Sequence, residues 1–417
     1  MENNINQKPV TVVLVGIGGY GALYVDELLA DMDNSLCRLV GVVDPAAAKS
    51  PKFDCICERG IPVYATLEAF YNHNQAELCC IAAPIQFHTP YTVYAMEHGS
   101  HVICEKPLSG CYTDGVALAA LSDKTGKFII SGYQWSHNRA ILSLKRDILD
   151  GKFGAVKQMR TKILWPRRES YFKRGSGWAG KRCAADGTYI LDSVANNAAA
   201  HYLHNMLFLL GDRMNSAALP VSVDAELMRV NPIENFDTYA IRMHTADGAP
   251  LLFLATHATK ENEDPVFIYE FEKGSVSFAA AGGHGIVAVM NDGEEISYGN
   301  PFDDQMVKVR YALRAVRDAD ARAELPCIVS TAVPHAQCIW AIRDVPIADT
   351  PEALLEEIPG GENGEDILRV IRPLHDAMNL AYDKCCMLSE LNDAVSADLR
   401  KVLKPVMGLS VGERVGE

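Results

Sequence analysis

Short apolar runs alternate with amphipathic stretches over the first 135 residues of the chain. Val10-Thr-Val-Val-Leu-Val15 is a continuous β-branched run, the pattern of a strand buried on both faces. A helical pattern follows through Leu23, Leu28 and Leu29. Further strands are predicted at Leu39–Val43, Pro62–Tyr64, Leu78–Ala83, His101–Cys104 and Phe128–Ser131. Between them, helices are predicted at Leu67–Tyr71, from a Thr89 N-cap with Pro90 at N1 to Glu97, and over 111–125. Strands that alternate with helices predict a parallel α/β sheet.

After residue 135 the rhythm changes. A helix is predicted over 137–150, a strand from Ala155 to Leu164, a polar and aromatic loop over 165–186, and a long helix over 188–210 closed by Gly211. Strands then gather at Ala240–His244, Leu251–His257 and Val266–Glu272, which predicts a largely antiparallel sheet. The stretch 301–417 reads as mainly helical.

Composition narrows the classes. Hydrophobic residues make up 48% and charged residues 22%, ordinary values for a globular chain. A formal charge of −14 repels phosphate backbones, so nucleic acid is not an expected partner. The first residues have neither a basic nor an apolar leader, and no run of about 18 apolar residues appears, so a cytoplasmic protein without a membrane span is expected. The twelve cysteines are scattered. Cys55 and Cys57 form a CxC and Cys385-Cys386 are adjacent, with no second pair at zinc spacing; reduced thiols and no metal are expected.

Gly16-Ile17-Gly18-Gly19-Tyr20-Gly21 lies between the first strand and its helix, the context that gives a GxGxxG turn its meaning. Gly16 permits the tight turn, Gly18 lets a pyrophosphate approach the backbone, and Gly21 permits close packing. The helix N-terminus adds N–H donors and a positive dipole end. Asp44 ends the second strand, where a carboxylate accepts from a ribose diol and repels a 2′-phosphate. NAD is therefore expected over NADP. The bland alternative makes Asp44 the start of a turn with Pro45.

With these residues placed, Ala83-Pro84, His88 and His101-Val-Ile-Cys-Glu105-Lys106-Pro107 give the chain a resemblance to the glucose–fructose oxidoreductase / inositol dehydrogenase / rhizopine catabolism (Gfo/Idh/MocA) family. Ser131-Gly-Tyr133-Gln134 resembles it too, and the likeness is good over 10–165. The resemblance implies a Rossmann domain over 1–135, joined to an α+β domain over 136–417. That domain would have a largely antiparallel open sheet, a substrate-binding and oligomerisation role, and a helical C-terminal extension. It implies an NAD-dependent oxidoreductase acting on a secondary hydroxyl or ketone of a sugar, glycoside or cyclitol, in a homo-oligomer (dimer or tetramer). It places Ala83, Pro84, His88, Glu105, Lys106 and Gln134 with Gly16–Gly21 and Asp44 around the cofactor.

The family's usual site joins the EKP lysine to an Asp-x-x-x-His on a helix. Here the match is Asn197-Ala-Ala-Ala-His201, so asparagine stands at the aspartate position. Extrapolated along a helix, Asp192 falls about 140° from Asn197 and is no simple substitute. Lys106 and His201 are the candidate proton-transfer residues; the alternatives are a surface lysine and a core histidine. Asn197 orients rather than takes protons. His201 and His204 form an HxxH with no third ligand, which argues against metal. Tyr133, Gln134, Trp135 and His137 after the sixth strand, and His88, are candidate borders of the nicotinamide, with Tyr133 and Trp135 also reaching the substrate; either group could equally be strand-end packing. The loop with Trp165, Arg167, Tyr171, Trp178 and Lys181 interleaves aromatic and basic residues in an acidic chain. It is read as substrate-binding, with packing on a neighbouring subunit as the alternative. Two other functions stay open: a redox-neutral lyase or glycosidase that uses NAD transiently, and a non-catalytic NAD(P)-binding regulator.

Overall fold

The β-branched runs of the N-terminal region become parallel strands β1 (Val10–Val15), β2 (Cys37–Val43), β3 (Val63–Tyr64), β4 (Leu78–Ile81), β5 (His101–Cys104) and β6 (Ile129–Ser131). They form one sheet in the order β3-β2-β1-β4-β5-β6. Val12 and Leu14 are fully buried and pack against the helix Gly21–Asp33 through Tyr24, Val25 and Leu28. The structure is a computed structural model that describes residues 8–174 and 177–411.

The chain divides into two compact units. The first takes in 1–109, 113–137 and 304–332; the second 110–112, 138–303 and 333–417. The expected single boundary at 135/136 therefore does not describe the segment 304–332. The helix Val307–Arg317 in that segment has Val309, Ala312 and Leu313 on one face, and they complete the core around β1. Ile328 bridges antiparallel to Ile130 of β6, and Arg317 pairs with Glu77. The reading of 301–417 as mainly helical did not say which core this helix would join.

The second unit is built on β7 (Val156–Leu164), β8 (Ser222–Arg229), β9 (Thr238–His244), β10 (Pro250–Thr256), β11 (Glu263–Phe271), β12 (Gly274–Ala279), β13 (Ile286–Met290), β14 (Glu295–Gly299) and β15 (Ile347–Asp349). The order is β14-β13-β12-β11-β7-β10-β9-β8-β15. The sheet is mostly antiparallel, with β7/β10 and β8/β15 parallel. The C-terminal region is less helical than expected: β16 (Leu355–Ile358) pairs with β17 (Leu368–Ile371), and β18 (Val406–Ser410) adds to β8. These strands are four or five residues long, too short for periodicity to reveal. Leu374, Ala377 and Met378 of the helix Leu374–Lys384 pack on Leu164, Leu252 and Leu254 of the sheet.

Two local expectations change. The helix before Glu97 begins at His88, and Thr89 donates to Asp114 at 3.1 Å rather than capping it. The helix expected over 188–210 is a π-helical turn, Val194–Ala198, followed by an α-helix only over Ala200–Leu209. Ser193 caps the turn by accepting from the Asn196 N–H at 3.1 Å.

Candidate functional site

Each unit carries its own part of the predicted residues. In the first, Gly16 has φ +84° and a Cβ there would lie 2.5 Å from the Ala82 carbonyl oxygen. At Gly21 a Cβ would lie 2.3 Å from the Gly16 carbonyl oxygen, so this glycine lets the turn close on itself. Gly18 meets nothing within 4 Å. The Gly16 N–H donates to Val43 at 2.8 Å, and the Ile17 N–H to Asp44 Oδ2 at 3.0 Å. The next three N–H groups, of Gly18, Gly19 and Tyr20, donate to nothing among the described residues. Three consecutive amides at a helix N-terminus make an anion cradle. A dinucleotide pyrophosphate fits this donor set, and the space above Gly18 leaves its approach open.

Asp44 is tied to the turn. Its Oδ1 accepts from the Ala46 N–H at 2.8 Å while Oδ2 accepts from Ile17. Both oxygens keep acceptor capacity for a ribose. The turn reading and the ribose reading of Asp44 thus describe one geometry.

His88 is 1% exposed. Its ring nitrogens lie 2.7 Å from the Pro107 carbonyl oxygen and 2.8 Å from that of Ala83. It thereby links the loop after β4 to the loop after β5. Burial lowers its pKa, with the two carbonyls acting the other way. Pro84 leads into a short 3₁₀ turn, Ile85–Phe87. Tyr133 and Trp135 are core side chains, 1% exposed each, while Gln134 between them is half-buried. Gln134 accepts from the Tyr20 hydroxyl at 2.6 Å.

Glu105 carries an arrangement that sequence reasoning missed. Its Oε1 accepts from the Tyr24 hydroxyl at 2.7 Å and from Lys308 Nζ at 2.5 Å. Lys308 is fully buried, donates also to the Tyr20 hydroxyl at 3.2 Å, and lies 4.7 Å from the Tyr20 ring centre. The Lys106 N–H donates to Glu105 Oε2 at 3.3 Å. A Cβ at Gly132 would fall 2.7 Å from this carboxylate, which explains the glycine there. The Glu105 pair is about 200 residues apart in sequence, beyond any local signal.

In the second unit, Asn197 Nδ2 donates to Asp192 Oδ1 at 2.9 Å. The angular separation expected on a continuous helix fails because the chain is not helical at Asp192. The carboxylate absent from position 197 thus reaches it from Asp192. Asp192 Oδ2 also accepts from the Gly180 N–H at 2.5 Å. His201 opens the helix Ala200–Leu209, half-buried, with its ring 6.3 Å from Tyr202. His204 is fully buried and 6.5 Å from the His335 ring. Among the described residues no group of three His, Cys, Asp or Glu could hold a metal.

The aromatic and basic loop folds onto itself. Trp165 Nε1 donates to Asp264 at 2.9 Å, and its ring meets Tyr202 edge-on at 5.8 Å. The Arg167 guanidinium lies 5.6 Å from the Trp165 ring centre and 5.1 Å from that of Tyr171. Arg174 lies 3.4 Å from the Tyr171 ring and 5.2 Å from Trp178. Lys181 is exposed. His257, at the end of β10, was not singled out from sequence. Its ring is 5.5 Å from Tyr171, and Nδ1 lies 2.8 Å from the Trp165 carbonyl oxygen. Burial, with Arg167 and Arg174 nearby, pushes its pKa down to about 3. Nδ1–H then donates, and Nε2 is left as the lone-pair nitrogen.

A glycine turn at the first crossing of a parallel sheet, with free amides and an acid on the next strand, defines a dinucleotide-binding Rossmann domain. Residues 10–133 match the GFO_IDH_MocA model, "Oxidoreductase family, NAD-binding Rossmann fold", so this part of the chain is similar to that family. It is 26% identical over 149 residues to the 2,7-anhydro-N-acetylneuraminate hydratase of Mediterraneibacter gnavus, covering 36% of this chain and 38% of that one. It is 26% identical over 156 residues to an inositol 2-dehydrogenase of Corynebacterium glutamicum, covering 37% and 45%. The chain spans about two fifths of the length of the curated relatives it matches. The fold is similar to that of the WlbA dehydrogenase from Bordetella pertussis, solved with NADH and UDP-GlcNAcA. That similarity has a TM-score of 0.63 at 20% identity, over 80% of this chain and 95% of that one. Among the described residues no helix is long and apolar enough to cross a membrane.

Proposed function

We propose that this protein is an NAD-dependent oxidoreductase acting on a secondary hydroxyl or ketone of a sugar, glycoside or cyclitol. The observation that carries the reading is the run of three unengaged amides, Gly18 to Tyr20, beside Asp44. Bound there, NAD would supply a hydride acceptor. Lys106 is assigned the proton of the reacting hydroxyl, and Glu105, held by Tyr24 and Lys308, fixes the backbone before it. In the second unit Asn197, set by Asp192, and His201 are assigned to substrate hydroxyls. The domain roles, cofactor in the first unit and substrate in the second, follow the same assignment. Self-association would use the outer strands β12–β14, where alternate side chains are exposed; sedimentation equilibrium tests it.

Incubation with NAD and a panel of glycosides and inositols, followed by NADH fluorescence, tests the reading. Lys106→Ala should abolish turnover and leave NAD affinity within a few-fold; turnover near wild type would remove Lys106 from proton transfer. Asp44→Ser should relax the NAD preference toward NADP, measured as the ratio of the two dissociation constants. An unchanged ratio would take Asp44 out of the ribose site.

A second reading, a redox-neutral lyase, is favoured by the similarity to a relative named as a hydratase; elimination would need a base in addition to the redox residues. Product release without net NADH distinguishes it.

A further inference from the structure

Six basic side chains lie in the stretch 165–182, and of these Lys181 is exposed. Lys173 is paired with Glu169 and Arg182 with Asp344, while Arg168 donates to the carbonyl oxygens of Ile358 and Asp366. Elsewhere in the unit, Arg229 is paired with Asp349 and Arg369 with Glu357. Arg167 and Arg174, like Arg168, form no ion pair among the described residues, but each is tied to one carbonyl oxygen where Arg168 is tied to two. Each guanidinium makes one bond to a main-chain oxygen, to Pro166 at 3.1 Å and to Tyr171 at 2.8 Å. Among the described residues neither forms an ion pair, in a chain with 53 acidic and 39 basic residues.

Both half-buried cations lie near the ring of Tyr171, and each has a tryptophan ring close by, Trp165 for Arg167 and Trp178 for Arg174. A guanidinium has five N–H donors, so most of their donor capacity is unspent. Aromatic faces hold the guanidinium plane without covering its edge, the edge that forms two parallel bonds to an oxyanion. Two like charges beside one ring repel, and a nearby anion relieves that repulsion, as the Asp192 carboxylate acting on Tyr171 already does in this unit. The cluster also reaches the candidate catalytic helix, because Trp165 meets Tyr202, the neighbour of His201.

We infer that Arg167 and Arg174 form an oxyanion subsite, and that the substrate is an anionic sugar carrying a carboxylate or phosphate group. This rests on the reading of the loop as substrate-binding and narrows its substrate class. The subsite acts on binding and orientation: the anion is clamped and the hydroxyl to be oxidised is turned toward Asn197 and His201.

Tryptophan fluorescence tests it without turnover, since Trp165 and Trp178 flank the two arginines. The full chain is titrated with glucuronate, glucose 6-phosphate, glucuronamide and glucose, with and without NAD. The expected result is saturable quenching by at least one anion, with affinity about tenfold or more above its neutral counterpart. Arg167→Gln and Arg174→Gln should each remove that preference, and Arg174→Lys should keep part of it. Preference for glucuronate or for the phosphate ester identifies the oxyanion. Equal response to acids and neutral sugars, no saturation by either anion, or a preference that survives both Gln variants would overturn the inference. Should a Gln variant fail to fold, the acid-to-neutral ratio of the wild type and of Arg174→Lys still decides. Arginine-dependent anion binding without any NAD reduction would sink the dehydrogenase reading and leave the subsite standing. Reduction of NAD by neutral sugars alone would do the reverse.

Discussion

Glu105 and Lys308 form the most buried ion pair of the first unit, with side chains 8% and 0% exposed. Burying two charges costs solvation that their attraction repays only when hydrogen bonds saturate them. Here Tyr24 and Tyr20 complete the shell. Lys308→Met therefore leaves a buried carboxylate unpaired and should destabilise the protein by about 3–5 kcal/mol, read from urea denaturation. Adding Glu105→Gln should recover part of that loss. A single variant as stable as the wild type would mean that the pair is solvated and positions nothing. The motif Glu105-Lys106-Pro107 is plain in the sequence, but the reason for its glutamate is not, because the partner lies on a helix that comes after strands β7 to β14 of the second sheet.

At the scale of elements, the strand–turn–helix at 10–33 separates two kinds of glycine. Gly21 is a packing requirement, with a substituent 2.3 Å from a carbonyl oxygen, while Gly18 faces open space and its φ is ordinary. Gly21→Ala should lose folded protein or several degrees of melting temperature. Gly18→Ala should melt within about a degree of wild type yet bind NAD at least tenfold more weakly, because its methyl enters the pyrophosphate approach. Calorimetric titration and thermal melts on the two variants check this; unchanged NAD affinity in Gly18→Ala would place the ligand elsewhere. The same comparison of element and sequence explains the miss at 188–210. Apolar periodicity continues through Ile190, Leu191 and Val194, but Leu191 has φ +46° and the helix starts only at Ala200. That break is what lets Asp192 meet Asn197.

For the whole molecule, three buried histidines set the response to acid. Burial pushes the pKa of His101 to about 3, of His137 to about 4 and of His257 to about 3. Each stays neutral in the fold but takes a proton in the unfolded chain near pH 6.5. The unfolded state therefore binds more protons, and stability rises with pH through this window. Asp31 opposes them: burial raises it to about 6, so between pH 4 and 6 the folded state holds its proton longer. Glu226 and Asp237, raised by burial, act with Asp31, while His88, lowered by burial, and Glu77, lowered to about 2 by its bonds to Arg317, act with the three histidines; stability is lost as the pH falls from 6.5 toward 5. The urea midpoint should fall steeply from pH 6.5 to pH 5; a flat midpoint would mean that these imidazoles are protonated in the fold. The C-terminal extension enters at this scale as well. Leu374 and Met378 cover the middle of the second sheet, so that face is filled by the chain itself.

The glycine turn, the acid at the end of the second strand, the EKP loop and the alternating strands and helices were legible because each depends on neighbours within a few residues. Local spacing sets backbone dihedrals, caps and the side of a strand that is buried, and these are properties a linear pattern carries. What tertiary structure decided are meetings across long stretches of chain: Lys308 with Glu105, His257 with Tyr171, and the helix at 307–317 with the first core. The Asp192–Asn197 bond belongs with them, since it depends on a helix start that packing rather than periodicity set. Charge and hydrogen bonding choose partners by distance in space, and a sequence records only distance along the chain.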